Sequence, residues 1–118
     1  MHGRLILKIV SREEWADATE AGLFRGAEID LIDGYIHFST RDQVAETAAK
    51  HFAGRDDLLL VAIGEEKLGD SLRWEESRGG QLFPHLYCDL KVDLVDHVWE
   101  LPWGEDGSHR FPDFDGMN

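Results

Sequence analysis

The distribution of hydrophobic and polar positions predicts two long buried strands and one shorter strand. Residues 4–10 and 58–63 are nearly continuous apolar runs, which is typical of strands that are buried on both faces. Residues 72–75 (Leu-Arg-Trp-Glu) have the length and composition of a short strand. We therefore expect a sheet whose central strands come from the two long runs.

Two helices are predicted from their capping residues and apolar stripes. Ser11 and Glu14 have the spacing of a capping box, in which the two side chains satisfy free backbone N–H groups at a helix start. Thr40 and Gln43 repeat this spacing. Gly22 is a natural helix end. The predicted helices cover residues 11–21 and 41–52, with apolar stripes formed by Trp15, Ala18, Val44, Ala48 and Phe52.

The remaining segments are predicted to be loops and further strands. Residues 24–33 contain Gly26 and two aspartates and are predicted to form a long loop. Pro84 indicates a strand start or an edge strand for residues 83–88, because proline cannot donate a ladder hydrogen bond. Residues 91–101 predict one long strand with a bulge. Residues 102–118, rich in Gly, Asp and Pro, predict an irregular tail.

The order of these elements predicts an α+β fold. Two helices come early and mostly strands follow, whereas the regular βαβα alternation of a doubly wound parallel sheet is absent. A chain of 118 residues is long enough for one core and too short for two. We therefore expect a compact single domain over residues 1–101, with two N-terminal helices packed on a mostly antiparallel sheet, followed by an irregular tail over residues 102–118.

The charge balance argues against a nucleic-acid partner. The chain carries 12 Lys and Arg against 24 Asp and Glu, a net charge of −12, and it has no basic cluster. No apolar run approaches the roughly 20 residues of a membrane-spanning helix, and no secretory signal is evident. The one cysteine, Cys88, makes no internal disulfide, which fits a reducing compartment. We expect a cytoplasmic, monomeric protein with neither a nucleic-acid nor a membrane partner.

A polar corner is predicted between the first turn and the second helix. Asp33-Gly34 is a strong turn signal, because glycine adopts positive φ without a Cβ penalty. In the short strand that follows, Tyr35, His37 and Ser39 are predicted to share one face. The second helix then begins beside them. Such a corner is suited to a polar or anionic ligand.

Several blocks of the sequence, taken together, resemble a known family. The blocks are Asp33-Gly34-Tyr35-Ile36-His37-Phe38-Ser39-Thr40, Gln43, Thr47-Ala48, His51-Phe52, Leu58-Leu59-Leu60, Leu72-Arg73-Trp74-Glu75 and Phe83-Pro84-His85-Leu86-Tyr87. In order and spacing, over about residues 5–100, they are similar to the family called domain of unknown function 952. No reaction is assigned to that family.

The resemblance implies a fold similar to the ADP-ribosyltransferases, with a split, strongly curved sheet. Transferases of that fold use NAD, with a His or Arg on an early strand and a Glu on a late strand, so His37 and Glu75 become candidate catalytic residues. Phe38-Ser39-Thr40 resembles the start of a Ser-Thr-Ser element without its third residue. Glu75-Glu76 departs from the Glu-x-Glu spacing of arginine-modifying members, and the acidic surface disfavours the RNA 2′-phosphate chemistry of other relatives.

Each candidate also has a structural interpretation, and both interpretations remain open here. His37 is either a half-buried strand histidine or a donor to a ribose hydroxyl or phosphate. Glu75 is either a solvated strand-end charge or a carboxylate that stabilises an oxocarbenium-like centre. The candidate ligand contacts are Tyr35 and Trp74 as stacking surfaces, Arg78 in a flexible loop as a phosphate contact, and Ser39, Thr40, His85 and Tyr87 as polar walls of the cleft.

The six histidines do not indicate a metal site. No His-x-x-x-His or Cys-x-x-Cys spacing occurs, so a site would need His37, His85 and Cys88 to meet in space. No metal cofactor is therefore expected.

Two functions follow from these residues. In the first, a cleft binds NAD or a related nucleotide as substrate for ADP-ribosyl transfer or glycosidic cleavage. In the second, a non-catalytic module binds a small polar metabolite in the same cleft, or contacts another protein through its acidic surface.

Overall fold

The computed structural model describes residues 4–112, and within them it contains three α-helices and eight β-strands. The strands are β1 (Leu5–Ser11), β2 (Leu23–Phe24), β3 (Ile36–His37), β4 (Leu58–Gly64), β5 (Leu72–Glu76), β6 (Leu82–Leu86), β7 (Leu90–Lys91) and β8 (His97–Glu100). The helices are α1 (Arg12–Ala21), α2 (Glu28–Asp33) and α3 (Arg41–His51). Short 3-10 turns lie at Glu65–Lys67, Gly69–Ser71, Arg78–Gly80 and Val92–Leu94.

The antiparallel sheet β1-β4-β8 separates two hydrophobic clusters. Side chains alternate between the faces of a strand. Accordingly, Ile6 and Val10 of β1 belong to the first cluster, whereas Leu5, Leu7 and Ile9 belong to the second. The prediction that the two long apolar runs form strands buried on both faces is confirmed.

Helices α1 and α3 pack on opposite faces of this sheet. Trp15 and Ala18 of α1 enter the first cluster, whereas Val44 and Ala48 of α3 enter the second. Each predicted apolar stripe therefore points into the core, and each helix is stabilised mainly by the burial of that stripe.

The predicted capping contacts are present at both helix starts. The Ser11 hydroxyl accepts the Glu14 N–H at 3.0 Å, and the Glu14 carboxylate accepts the Ser11 N–H at 2.8 Å. At α3 the Thr40 N–H donates to the Gln43 side-chain oxygen at 3.0 Å. Helix α1 ends at Gly22, whose φ of 82° is readily adopted only by glycine.

The prediction of a loop over residues 24–33 is wrong, because this segment contains the third helix, α2. The start of α2 has no hydroxyl cap. Instead, the Asp30 carboxylate accepts the Ala27 N–H at 2.8 Å. The apolar pattern concealed the helix because its aliphatic side chains face solvent. These exposed side chains are Ile29, Leu31 and Ile32, with 54%, 65% and 73% of their surface accessible.

Pro84 lies in a central strand and not at a sheet edge. The second three-stranded sheet has the antiparallel order β3-β6-β5, so β6 has a neighbour on both sides. The Pro84 carbonyl accepts the Phe38 N–H at 3.0 Å, but proline has no N–H to return. Strand β3 ends at this point, and Ser39 pairs with Leu7 of the first sheet instead.

Residues 91–101 do not form one long strand. Strand β7 pairs with β2, whereas β8 pairs with β4, and the 3-10 turn Val92–Leu94 carries the chain between these two sheets. Alternating apolar residues do not distinguish one strand from two that serve different sheets.

The described part of the tail returns to the body of the protein. Phe111 packs against the second hydrophobic cluster, and Trp103 forms a bridge with His109. The His109 ring contacts the Arg55 carbonyl at 2.9 Å. Phe114, another tail aromatic, lies outside the described residues. The structure over residues 4–112 is thus a compact α+β arrangement of antiparallel sheets, and none of its helices has the length and apolar character needed to cross a membrane.

Candidate functional site

The register of the second sheet brings two predicted site histidines together. His37 of β3 lies directly opposite His85 of β6, with ring centroids 5.5 Å apart. The neighbouring pair, Ile36 and Leu86, points the other way, into the first hydrophobic cluster. The histidines therefore share the face that is turned away from this cluster.

Tyr35 packs on both histidines from the turn before β3. Its ring stacks on His85 with centroids 4.1 Å apart and lies 4.6 Å from His37. The Tyr87 ring follows at 5.2 Å from Tyr35. We call the four side chains Tyr35, His37, His85 and Tyr87 the aromatic cluster.

Glu75 joins the aromatic cluster from β5. Its Oε1 atom accepts a hydrogen bond from the Tyr87 hydroxyl at 2.6 Å and lies 2.8 Å from Nδ1 of His85. The Tyr87 hydrogen bond, followed by that of His85, lowers the pKa of the Glu75 carboxyl, because both interactions favour the charged form. The same bond raises the pKa of the Tyr87 hydroxyl. A carboxylate is therefore held beside the aromatic rings.

Asp30 of α2 contacts His37 and is not among the site residues predicted from the sequence. Its carboxylate is 1% exposed, and Oδ1 accepts the His37 backbone N–H at 3.1 Å and lies 2.6 Å from Nδ1 of the ring. On the opposite side of the ring, Nε2 lies 2.9 Å from Oδ2 of Asp33. The imidazole is thus flanked by two carboxylates.

Lys8 is the buried partner of Asp30. It lies on the same face of β1 as Ile6 and Val10, and its ammonium group is 3.0 Å from Oδ2 and 3.2 Å from Oδ1 of Asp30. Burial acts to raise the pKa of the Asp30 carboxyl, but the His37 hydrogen bond, the Lys8 charge and two backbone N–H groups outweigh it and lower this pKa to about 2. In the sequence, Lys8 interrupts an apolar run. Because a buried lysine is nearly always paired with an acidic group, this position indicates a buried acidic partner.

Three predicted ligand contacts lie away from the aromatic cluster. Trp74 occupies the opposite face of β5, packs against the first hydrophobic cluster and lies beneath the Arg4 guanidinium at 4.1 Å. The prediction that it is a stacking surface in the same cleft as His37 is therefore wrong. Ser39 is 5% exposed and its hydroxyl contacts that of Thr47 at 3.1 Å. Thr40 caps α3. Trp74 is separated from His37 because it points to the other face of its strand. Ser39 and Thr40 are separated from His37 because the chain leaves the second sheet at Ser39.

The Arg78 side chain, predicted as a phosphate contact, lies outside the described residues; its backbone belongs to the 3-10 turn after β5. Over residues 4–112 no group of three or more His, Cys, Asp or Glu side chains is arranged to hold a metal ion.

A pocket of about 230 Å³ opens beside the aromatic cluster. Tyr35 and Tyr87 line it, and Leu31 of α2 supplies an apolar wall. At its mouth the Arg25 guanidinium lies 4.0 Å from the Asp89 carboxylate, and both side chains are exposed. One residue of the pocket wall, Cys88, has an exposed free thiol. The pocket therefore combines flat rings with charges of both signs.

The chain is similar to solved structures of one bacterial protein. The crystal structure of protein CC0527 from Caulobacter crescentus is 48% identical, with a TM-score of 0.87, over 90% of this chain and 93% of that chain. Its solution NMR structure is 46% identical, with a TM-score of 0.84, over 97% and 98% of the two chains. A comparison with curated proteins found no match.

The family model described as "Protein of unknown function (DUF952)" matches residues 9–98. This range contains every residue of the aromatic cluster, together with Asp30, the ion-pair partner of Lys8. The match agrees with the resemblance of the sequence blocks, and the extent of the match shows that the chain belongs to the DUF952 family.

Proposed function

We propose that the aromatic cluster and Glu75 bind the nicotinamide–ribose part of NAD or a related nucleotide and promote cleavage of its glycosidic bond. The observation that carries this proposal is the position of Glu75, whose carboxylate is held by Tyr87 and His85 at the edge of a set of stacked rings. The oxidised nicotinamide ring is flat and cationic. Aromatic faces next to a carboxylate favour such a group, because ring quadrupole and charge both attract a cation.

The size of the pocket supports a ligand fragment of this kind. Its volume of about 230 Å³ lies below the 300–1,000 Å³ of pockets that enclose drug-sized ligands. One ring fits this space better than a whole dinucleotide does, and the ribose would extend past Tyr87 toward Glu75, which does not line the pocket. The adenylate half of NAD would then extend over the surface past the exposed Arg25, whose guanidinium suits a phosphate.

The proposed reaction is heterolysis of the bond between the ribose C1′ and the nicotinamide nitrogen. The bonding electron pair leaves with nicotinamide, which becomes neutral, and positive charge develops on the C1′–O4′ unit. Glu75 stabilises that charge electrostatically, and His37 orients a ribose hydroxyl. Water, or the hydroxyl or amine of an acceptor, then adds to C1′ and loses a proton.

A second function is favoured by the lining of the pocket. Tyr35 and Tyr87 line it, but neither His37 nor Glu75 does. A small polar metabolite confined to this pocket would contact the aromatic rings and Arg25 without approaching the Glu75 carboxylate. In that case the protein is a binding module without a chemical step.

Calorimetric titration with NAD, nicotinamide and ADP-ribose, combined with chromatography of released nicotinamide, tests the first function. We expect NAD and nicotinamide to bind, and wild-type protein to release nicotinamide from NAD. Glu75→Gln should retain binding and lower the release rate at least tenfold, because the amide keeps an acceptor for Tyr87 but lacks the charge.

Glu76→Gln is the matched control, because Glu76 is an exposed neighbour on the same strand whose side chain points to the other face. Its release rate should equal that of wild type. Binding without nicotinamide release would support the second function. No binding of any of the three ligands at millimolar concentration would exclude the first.

A further inference from the structure

The buried carboxylate of Asp30 makes two contacts with one histidine, and both come from the same oxygen. Oδ1 accepts the His37 backbone N–H at 3.1 Å and lies 2.6 Å from Nδ1 of the His37 ring. We propose that Asp30, held by Lys8, is a positioning residue that keeps a proton on Nδ1 of His37 and leaves Nε2 as the one ring atom that exchanges protons or hydrogen bonds with a ligand. The inference deepens the proposed function and rests on it for the ligand, but not for the position of the proton.

The geometry fixes the orientation of the imidazole as well as its proton. A ring tied to one oxygen through both its own Nδ1 and the backbone N–H of the same residue has little freedom to rotate about its side-chain bonds. Tyr35 lies against the ring at 4.6 Å and His85 at 5.5 Å, measured between centroids. The Nε2 atom therefore keeps one direction, and Oδ2 of Asp33 lies 2.9 Å from it.

The charges decide which group donates in the contact between Asp30 and His37. The Lys8 ammonium can only donate, and it lies within 3.2 Å of both Asp30 oxygens. The Ala27 N–H donates to Oδ2 as well. Surrounded by donors, with a pKa of about 2, the Asp30 carboxyl remains an anion and an acceptor. The proton between Oδ1 and Nδ1 therefore belongs to the imidazole.

The Nε2 side of the ring differs from the Nδ1 side in exposure. The Asp30 side chain is 1% exposed and its partner Lys8 is 8% exposed, whereas the Asp33 side chain is 36% exposed. A ligand hydroxyl can therefore replace Asp33 at Nε2, but no ligand reaches Nδ1. This asymmetry allows His37 to accept or donate toward a ribose without losing its orientation.

Long-range proton–nitrogen NMR spectra of the histidine side chains test the proton position directly. We expect Nδ1 of His37 to keep the chemical shift of a protonated nitrogen between about pH 6 and pH 9, a range that spans the ordinary histidine titration. His51, the exposed last residue of α3, is the internal reference, because its ring is not held by the buried carboxylate that contacts His37. Loss of the His37 Nδ1 proton in wild type would overturn the inference.

A double substitution, Lys8→Met with Asp30→Leu, removes both buried charges without leaving either one unpaired. In this variant the nitrogen shifts of His37 should become those of His51, while a dispersed amide spectrum shows that the fold is retained. An unchanged His37 pattern would contradict the proposed role of Asp30. If the double variant does not fold, the wild-type spectrum still decides the question.

Asp33→Asn is the matched single substitution on the other side of the ring. It should alter the Nε2 shift and leave the Nδ1 shift protonated. Titration of wild type with NAD should then move Nε2 and not Nδ1, and the double variant should bind NAD at least tenfold more weakly. If NAD does not bind to wild type, the proposed function fails, whereas the Nδ1 shift continues to report on Asp30 alone.

Discussion

His85 and Glu75 form a carboxylate–imidazole pair on adjacent strands, with 2.8 Å between Nδ1 and Oε1. His37 and Asp30 form a second such pair, at 2.6 Å, and Tyr35 packs against both histidine rings. Each imidazole is thus oriented by its own carboxylate. The two pairs differ in burial, because the Glu75 side chain is 36% exposed whereas that of Asp30 is 1% exposed. Glu75 is therefore the carboxylate available to a ligand, and Asp30 is the one that supports the structure.

Tyr35 should contribute to stability through its ring and not through its hydroxyl. Tyr35→Ala removes the stack on His85 at 4.1 Å. We expect the free energy of unfolding to fall by about 0.5–1.5 kcal/mol for the loss of the stack alone. Tyr35→Phe keeps the stack and should remain close to wild type. Urea denaturation measures both variants. Equal destabilisation by the two substitutions would show that the hydroxyl, and not the stack, is the important group.

Lys8→Met should be strongly destabilising, because it leaves the Asp30 carboxylate buried without its cationic partner. Removal of one member of a buried ion pair typically costs about 3–5 kcal/mol. The double variant Lys8→Met with Asp30→Leu should recover only part of this loss: it removes the unpaired charge, but the Ala27 and His37 backbone N–H groups lose their acceptor. Chemical denaturation of the three proteins checks the expectation. A single variant as stable as wild type would mean that Asp30 needs no partner.

Acid should weaken the fold through Asp30. The pKa of its carboxyl is about 2 in the folded protein, below the ordinary value of 3.8 that the unfolded chain has. This group therefore contributes stability above about pH 4, and the contribution is lost as the pH falls from about 4 toward 2; it amounts to about 2 kcal/mol. Denaturation midpoints at pH 5 and pH 2.5 measure the loss. The double variant at Lys8 and Asp30 should show a smaller pH dependence than wild type.

Ser11→Ala should destabilise the protein by about 1 kcal/mol, because the Glu14 N–H at the start of α1 loses its acceptor. Thr19→Ala is a suitable control: Thr19 is exposed in the same helix, and its hydroxyl donates to the Ala16 carbonyl. Alanine is the better helix former in a helix interior, so this control should be neutral or slightly stabilising. A thermal melt distinguishes the two variants. A neutral Ser11→Ala would show that the cap contributes little here.

The elements with a local signal were predicted correctly from the sequence. Strands β1 and β4 were evident because both faces of each are buried, which makes the sequence continuously apolar. Helices α1 and α3 were evident because a capping box and an apolar stripe coincide. Helix α2 was missed because its buried residue is the charged Asp30 while its aliphatic residues face solvent, which reverses the usual pattern.

The candidate site was predicted in part. Tyr35, His37, Glu75, His85 and Tyr87 lie together as expected, because strand alternation and the register of β3, β6 and β5 place them on one face. Their role in binding or catalysis remains a prediction. Trp74, predicted as a stacking surface of the same cleft, lies on the other side of the sheet, because it is adjacent to Glu75 in β5 and successive residues of a strand point to opposite faces.

The sequence by itself determined the α+β class, the two long strands, the capped helices and the family, because each depends on residues that are close together in the chain. Only the tertiary structure decided that Lys8 meets Asp30, that His37 lies between Asp30 and Asp33, and that residues 91–100 are divided between two sheets. The physical reason is that a buried charge is stable only beside its partner. Chain segments 22 residues apart, such as those of Lys8 and Asp30, become neighbours only when the sheets pack.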